Sequence, residues 1–434
     1  MQALSHGEAV GLFLGVGTLT GVACLCGGAA RRLRLPAVVG EVLAGILLGP
    51  GVLGALYPAA GELLFPRAGP GAFAFDAIVL LCLALYLLLA GMEVRPERLR
   101  GRVRAVFLVA VPAFAVPFAA GYAAGVLAPG FFGGEGSPHF GLLLGTLLSI
   151  SALPVISRTL SDLGILGRPL GALITTAALL NDIAGWIAFS LILPVMPGAG
   201  GYWGAIFSPL AAVGGVLAAG RGLCFLLARR SAAGWPASGE IRLASVLALG
   251  CLSAALLQAA GSHAALGAFL AGAAVAHDRE LAGEVRASLQ GFVAVVAAPL
   301  FLGRIGLLAD FTSGFAWKIA SALFVLACAG KIGGCLAGAF AARTAPRKAW
   351  AIAFGMNARG AMEIILALLA YQNGWIGPSL FSATVLIALV TSLLAGPAIQ
   401  FVLARPAAAA KRAGADRRAI AGGKNIAAAE LPLL

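Results

Sequence analysis

Charge is scarce in this chain of 434 residues. Asp, Glu, Lys and Arg together make up 11 % of it, against about 25 % in a typical soluble domain. Acids are the scarcer sign, 17 against 30 bases. No GxGxxG or P-loop pattern lies outside the apolar stretches, and no paired catalytic acids or nucleophile–base constellation is present. These absences exclude a soluble globular domain and give no support to an enzyme, so no cofactor is expected. The seven cysteines (Cys24, Cys26, Cys82, Cys224, Cys251, Cys328, Cys335) fall in apolar stretches without zinc-ligand spacing. They are small buried hydrophobes by default. His263 and His277 sit at the ends of such stretches and form no cluster.

What fills the chain is apolar sequence. Hydrophobic residues account for 61 % before the 60 glycines are added, and the mean hydropathy is +0.99. A transmembrane helix needs about 20 apolar residues. The pattern predicts an all-α polytopic membrane protein with about 13 such helices, its core buried mainly in the lipid bilayer. The expected spans are 8–28, 36–53, 74–92, 104–128, 140–160, 169–195, 204–228, 241–260, 262–277, 289–308, 315–341, 347–371 and 376–404. The N-terminus, MQALSHGEAVG, has no positive n-region, so the first span reads as a retained helix. Residues 405–434 form a basic, Ala- and Gly-rich tail without apolar periodicity, expected to be disordered.

The formal charge of +13 does not point to nucleic acid, because the bases occupy short loops without interleaved aromatics. Outside the spans, every Lys and Arg except Arg67 and Lys318 falls in one set of alternate loops and the tail. By the positive-inside rule that set is cytoplasmic. The expected location is therefore the cell (inner) membrane, multi-pass, with the N-terminus outside and the C-terminus in the cytoplasm.

An odd number of spans suits two inverted six-helix repeats joined by one linker, the seventh span. Two spans look broken. The fifth carries Ser149-Ile-Ser151-Ala-Leu-Pro154 and the twelfth Gly355-Met-Asn357-Ala-Arg359-Gly360. They occupy equivalent places in the two halves, and paired breaks point to a binding site near the membrane midplane.

Asp182 lies alone in the sixth span, directly after Asn181. An intramembrane carboxylate usually marks an ion pathway or proton relay. A bare charge is costly at that depth, so a proton or a cation has to neutralise it, and both compete for the same oxygens. Asp182 with the Asn181 carbonyl suits an alkali ion, and Ser149, Ser151, Thr175 and Thr176 are candidates for further oxygens. One carboxylate fits a monovalent ion better than Ca²⁺. Lys331, between glycines in the eleventh span, is the expected charge partner of Asp182. Arg359 and Glu363 stand four apart on one helix face and are expected to compensate the dipoles of the broken helices. Glu41 reads as a funnel acid or an interhelix hydrogen-bond partner. Arg304 reads as an ion-paired or snorkelling side chain, and both are possible pathway residues.

Five segments in order carry a resemblance. They are Leu35-Pro36-Ala-Val-Val-Gly-Glu41 through Gly49-Pro50; Ser151-Ala-Leu-Pro154-Val-Ile-Ser-Arg158 with Leu163-Gly-Ile-Leu-Gly167; Leu180-Asn181-Asp182-Ile-Ala-Gly-Trp186; Gly330-Lys331-Ile-Gly333; and Gly355-Met-Asn-Ala-Arg359-Gly360-Ala-Met-Glu363. Together they resemble the monovalent cation/proton antiporter superfamily, in the subgroup with Kef-type, NapA-like and plant cation/proton exchangers. The resemblance implies Na⁺ or K⁺ exchange for H⁺ and crossed broken helices beside Asn181-Asp182. It also implies a homodimer whose core (about 74–195 and 289–371) moves like an elevator against a scaffold made of the remaining helices within 1–404. Two departures matter. Asn181 stands where electrogenic bacterial members have a second acid, and it is combined here with Lys331, so the charge moved per cycle stays open. Arg304 stands where a small or apolar residue is usual. The cytoplasmic regulatory domain of Kef-type members is not expected here. An uncoupled K⁺ efflux pathway and a proton-coupled exporter of an organic cation remain alternatives.

Overall fold

The computed structural model describes residues 4–33, 35–66, 68–93, 103–134, 137–192, 204–232, 238–260, 262–309, 311 and 315–404. The tail at 405–434 and the last residues of the expected sixth span lie outside them. The described residues form helices and connections, with no strand among them.

The first half contains α1 (His6–Arg32), α2 (Ala37–Leu48), the short α3 (Leu53–Leu56) and α4 (Pro58–Leu64), and α5 (Pro70–Gly91). It continues with α6 (Val103–Leu127), the short α7 (Pro129–Phe132), α8 (Pro138–Ser149), α9 (Leu153–Asp162) and α10 (Pro169–Ile192). After α11 (Gly204–Ala232) come α12 (Gly239–Ala259), α13 (Ala264–Val275), α14 (Arg279–Phe292) and α15 (Ala298–Leu308). The chain ends in α16 (Trp317–Ala341), α17 (Pro346–Met356), α18 (Ala361–Gln372) and α19 (Pro378–Leu403).

Local sequence sets these boundaries. Ser5 and Glu8 form a reciprocal capping box at α1, which satisfies amide donors that no helix turn can reach. Proline opens α4, α5, α8, α10, α17 and α19, the first-turn position where its missing N–H costs nothing. Between α14 and α15 a π-helical turn, Val293–Ala297, joins the two into one continuous rod. The expected loop at 278–288 is therefore helical. Its N-terminus is capped by Asp278, which accepts from the amides of Glu280 and Leu281.

Every expected span is helical. Ten helical segments among the described residues are long and apolar enough to cross a membrane, and three shorter apolar helices are Pro138–Ser149, Ala264–Val275 and Met362–Gln372. The protein is a multi-pass membrane protein. The fifth and twelfth spans are each two helices, α8 with α9 and α17 with α18, and the short helices fall there and at the ninth span.

The packing divides the helices into two groups. In one, α2 lies against α1 and α15, while α13 lies against α12 and α5. In the other, α6 packs between α8 and α16, and α17 packs against α16 and α19. This differs from the expected grouping at three spans: α5 and α15 join α1, α2 and α13, and α19 joins the group of the broken helices. Boundaries drawn along the chain could not see that each half contributes three consecutive spans to each group.

The repeat is visible in side-chain detail. Leu43-Ala44-Gly45 of α2 and Leu270-Ala271-Gly272 of α13 occupy matching places. A Cβ on Gly45 would lie 2.8 Å from the Gly306 Cα of α15, and one on Gly272 would lie 3.1 Å from the Gly91 Cα of α5. Small residues let membrane helices approach this closely. Gly45→Val and Gly272→Val are each expected to lower stability by about 1–3 kcal/mol through overpacking. On α1, a Cβ at Gly17 would meet nothing within 4 Å. Gly17→Val is therefore expected to leave packing undisturbed, with thermal unfolding in detergent as the readout for all three variants.

Candidate functional site at two crossed helix breaks

Two chain interruptions meet in the second group. α8 stops at Ser149 and the backbone turns extended at Ile150 and Ala152 before α9 begins. α17 stops at Met356, and Asn357, Ala358, Arg359 and Gly360 lead into α18. The two breaks are bonded to each other. The Ala152 amide donates to the Ala358 carbonyl at 3.0 Å, and the Ser151 hydroxyl donates to the Met356 carbonyl at 3.0 Å. Gly360 is needed at this crossing because a Cβ there would sit 2.9 Å from the Ala152 methyl.

The open end of α8 is held by two buried cations. Arg359 donates from Nη2 to the Leu148 carbonyl at 2.6 Å and from Nη1 to the Leu147 carbonyl at 3.3 Å. Lys331 Nζ donates to the Ser149 carbonyl. Both side chains are 0 % exposed. The last carbonyls of a helix carry partial negative charge, so cations belong there. Arg359 is also paired with Glu363 at 2.9 Å, and its own carbonyl accepts from the Ser392 hydroxyl. Glu363 lies in the first turn of α18, where partial positive charge favours a carboxylate.

Asp182 serves the open start of α9. It is 3 % exposed, and its Oδ2 accepts from the Leu153 amide at 3.4 Å. Its Oδ1 is buried and has no hydrogen-bond partner among the described residues. Asn181 is oriented by its neighbours: its Nδ2 donates to the Ala110 carbonyl at 2.9 Å, and its Oδ1 accepts from Lys331 Nζ at 3.0 Å.

Lys331 and Asn181 are hydrogen-bonded differently from what the sequence suggests. Among the described residues no contact ion pair joins Lys331 to Asp182; Lys331 donates to the Ser149 carbonyl and to Asn181, and Asp182 acts on it through its field. α8 ends beside Lys331, and the partial negative charge of its last carbonyls draws the ammonium. Asn181 is engaged at both ends of its amide, so a cation using the second lone pair of its oxygen would sit beside the Lys331 ammonium.

The hydroxyls are placed less uniformly. Ser149 Oγ donates to the Gly145 carbonyl, and Thr175 and Thr176 donate to carbonyls one turn back on α10. Thr175 and Thr176 line a cavity of about 190 Å³ together with Leu153, Ser157, Leu166 and Leu179. The cavity therefore reaches the residue whose amide holds Asp182. Glu41 and Arg304 lie in the other group. Glu41 is buried against Gly27 of α1. Arg304 pairs with Asp76 through two bonds, at 2.9 and 3.3 Å, with its guanidinium 5.8 Å from the Phe75 ring centroid. The ion-pair reading of Arg304 holds, and Asp76 is the partner sequence reasoning missed. Ser392 and the Ala110 carbonyl were also missed. A hydroxyl in an apolar helix and a backbone oxygen carry no distinguishing sequence signal.

Two broken helices bonded to each other beside a buried carboxylate, in a multi-pass helical fold, point to a class of membrane transporter. The chain belongs to the family described as sodium/hydrogen exchanger, transmembrane, whose sequence profile matches residues 20–405. It is 27 % identical to the Na(+)/H(+) antiporter NhaS4 of Synechocystis sp. over 402 residues, 90 % of this chain and 96 % of that protein. It is 29 % identical to Cation/H(+) antiporter 18 of Arabidopsis thaliana over 398 residues, 88 % of this chain but 48 % of that protein. It is 25 % identical to the K(+)/H(+) antiporter 1 of Saccharomyces cerevisiae over 392 residues, 85 % of this chain and 44 % of that protein. The chain thus spans about half the length of the plant and yeast relatives. Its fold is shared with the sodium proton antiporter MjNhaP1 of Methanocaldococcus jannaschii, with a TM-score of 0.66 at 14 % identity over 91 % of this chain and 96 % of that one.

Removing one partner of a buried ion pair leaves an uncompensated charge. Arg359→Ala is therefore expected to cost about 3–5 kcal/mol of stability. The check is thermal unfolding in detergent; a melting temperature equal to that of the unmodified protein would contradict the structural role assigned to Arg359.

Proposed function

We propose that this protein exchanges Na⁺ or K⁺ for H⁺ by alternating access, with Asp182 holding the cation and the proton in turn. The observation that carries this reading is the free Oδ1 of Asp182, buried and unpartnered at the start of α9. A lone carboxylate oxygen in an apolar interior calls for a proton or a cation. Thr175 and Thr176, on the cavity wall, are candidates for completing the coordination of an alkali ion. Asn181 would join through the second lone pair of its oxygen, beside Lys331. Family membership and the antiporter names of its relatives support the same reading.

The packing of the helices into two groups supports an elevator in which the group carrying the breaks moves against the other. The second group consists of α6, α8 to α10 and α16 to α19. A homodimer built on the first group, in a cell membrane with the C-terminus cytoplasmic, is part of the same proposal. Organic-cation export gains no particular support from the names of the relatives, which specify Na⁺, K⁺ or cation exchange for H⁺.

In proteoliposomes carrying a pH gradient, added Na⁺ or K⁺ is expected to dissipate the gradient. Asp182→Asn is expected to abolish the effect, and exchange at the unmodified rate in that variant would overturn the reading. Repeating the assay with the membrane potential clamped and unclamped determines the charge moved per cycle.

A further inference from the structure

The cavity beside α9 and α10 has a mouth that the site itself does not use. Glu93, just past α5, and Arg286 of α14 line it, and they form an ion pair at 2.6 Å. Their side chains are 31 % and 34 % exposed. A pair in such contact with water is weakly held and exchanges partners readily. The rest of the cavity wall comes from the other helix group, ending at Leu153, whose amide is bonded to Asp182. The acids on α14 do not compete for Arg286, since Glu280 and Glu284 are both paired with Arg242 of α12, at 3.2 and 3.0 Å.

We infer that Glu93 and Arg286 form a charge gate, in which an entering alkali ion takes the place of Arg286 at the Glu93 carboxylate before passing on to Asp182. This rests on the exchange reading above. A carboxylate at the mouth of a cleft concentrates cations, and an adjacent guanidinium cancels that field. The gate therefore sets how well the cation is captured from this side. It leaves the turnover at Asp182 unchanged. Glu93 is a capture group and Arg286 its competitor.

The test measures KM and maximal rate in proteoliposomes, with the alkali ion presented on one side at a time. Glu93→Gln is expected to raise KM about tenfold and Arg286→Gln to lower it several-fold, the scale of electrostatic focusing by one charge. Maximal rates are expected to stay within about twofold, since neither residue touches the Asp182 carboxylate. Both shifts should appear only from the side onto which the cavity opens, and should shrink as choline chloride screens the mouth. Arg286→Lys, which keeps the pair, and the swapped E93R/R286E protein should return KM toward its original value. If Arg286→Gln fails to fold, as judged by size-exclusion chromatography, Glu93→Gln decides alone. Unchanged KM in the folded variants would overturn the gate, as would shifts independent of side and salt. Asp182→Asn in the same assay separates the two claims: its full activity sinks the exchange reading, whereas its inactivity alongside unchanged KM in the gate variants sinks the gate only.

Discussion

A helix interrupted inside a bilayer exposes amides and carbonyls that no water reaches, and each has to find a partner within the protein. This constraint governs the centre of the molecule. Two interruptions are placed against one another, so that the Ala152 amide meets the Ala358 carbonyl and the Ser151 hydroxyl meets the Met356 carbonyl. What the breaks cannot supply to each other is supplied by charge. Lys331 and Arg359 take the end of α8, Asp182 takes the start of α9, and Glu363 lies at the start of α18.

The proposed transport chemistry grows out of this structural need. With all four groups ionised, the cluster holds two positive and two negative charges. A proton or an alkali ion on Asp182 changes that balance by the same single charge. The surrounding helix ends therefore respond to the two ligands alike, which suits a site where one replaces the other. Glu363 also leaves one oxygen, Oε2, without a partner among the described residues, but its charge is already balanced by the Arg359 guanidinium at 2.9 Å. Asp182 differs in its partner: one oxygen accepts from a neutral amide at 3.4 Å, and no cation is hydrogen-bonded to either oxygen among the described residues. Its neighbour Leu153 forms part of the cavity wall.

Much of this was legible in the sequence, for specific reasons. Helical spans were legible because apolar runs of bilayer length have few other uses. The breaks at 149–154 and 355–360 were legible because Ser, Pro, Asn and Gly cluster there within otherwise apolar sequence, at equivalent places in both halves. Asp182, Lys331, Arg359 and Glu363 were legible because charge in such runs is rare. The partner of Lys331 was not. Sequence shows side-chain charges but conceals helix-end carbonyls, and the Ser149 carbonyl is what Lys331 holds. The grouping of α5, α15 and α19 was hidden as well, since it depends on which glycine faces meet across distant segments, as Gly45 meets Gly306. The mouth residues Glu93 and Arg286 looked like ordinary loop charges, and only the fold brings them to one cavity.

The central claim is that one buried carboxyl group is shared by proton and cation. Infrared difference spectroscopy on the purified protein tests it most directly, by following the carboxylic acid C=O stretch as Na⁺ or K⁺ is added. The account predicts that the cation removes a protonated-carboxyl band in the unmodified protein and that Asp182→Asn lacks this change. A band unaffected by either ion, or an identical loss in Asp182→Asn, would contradict it.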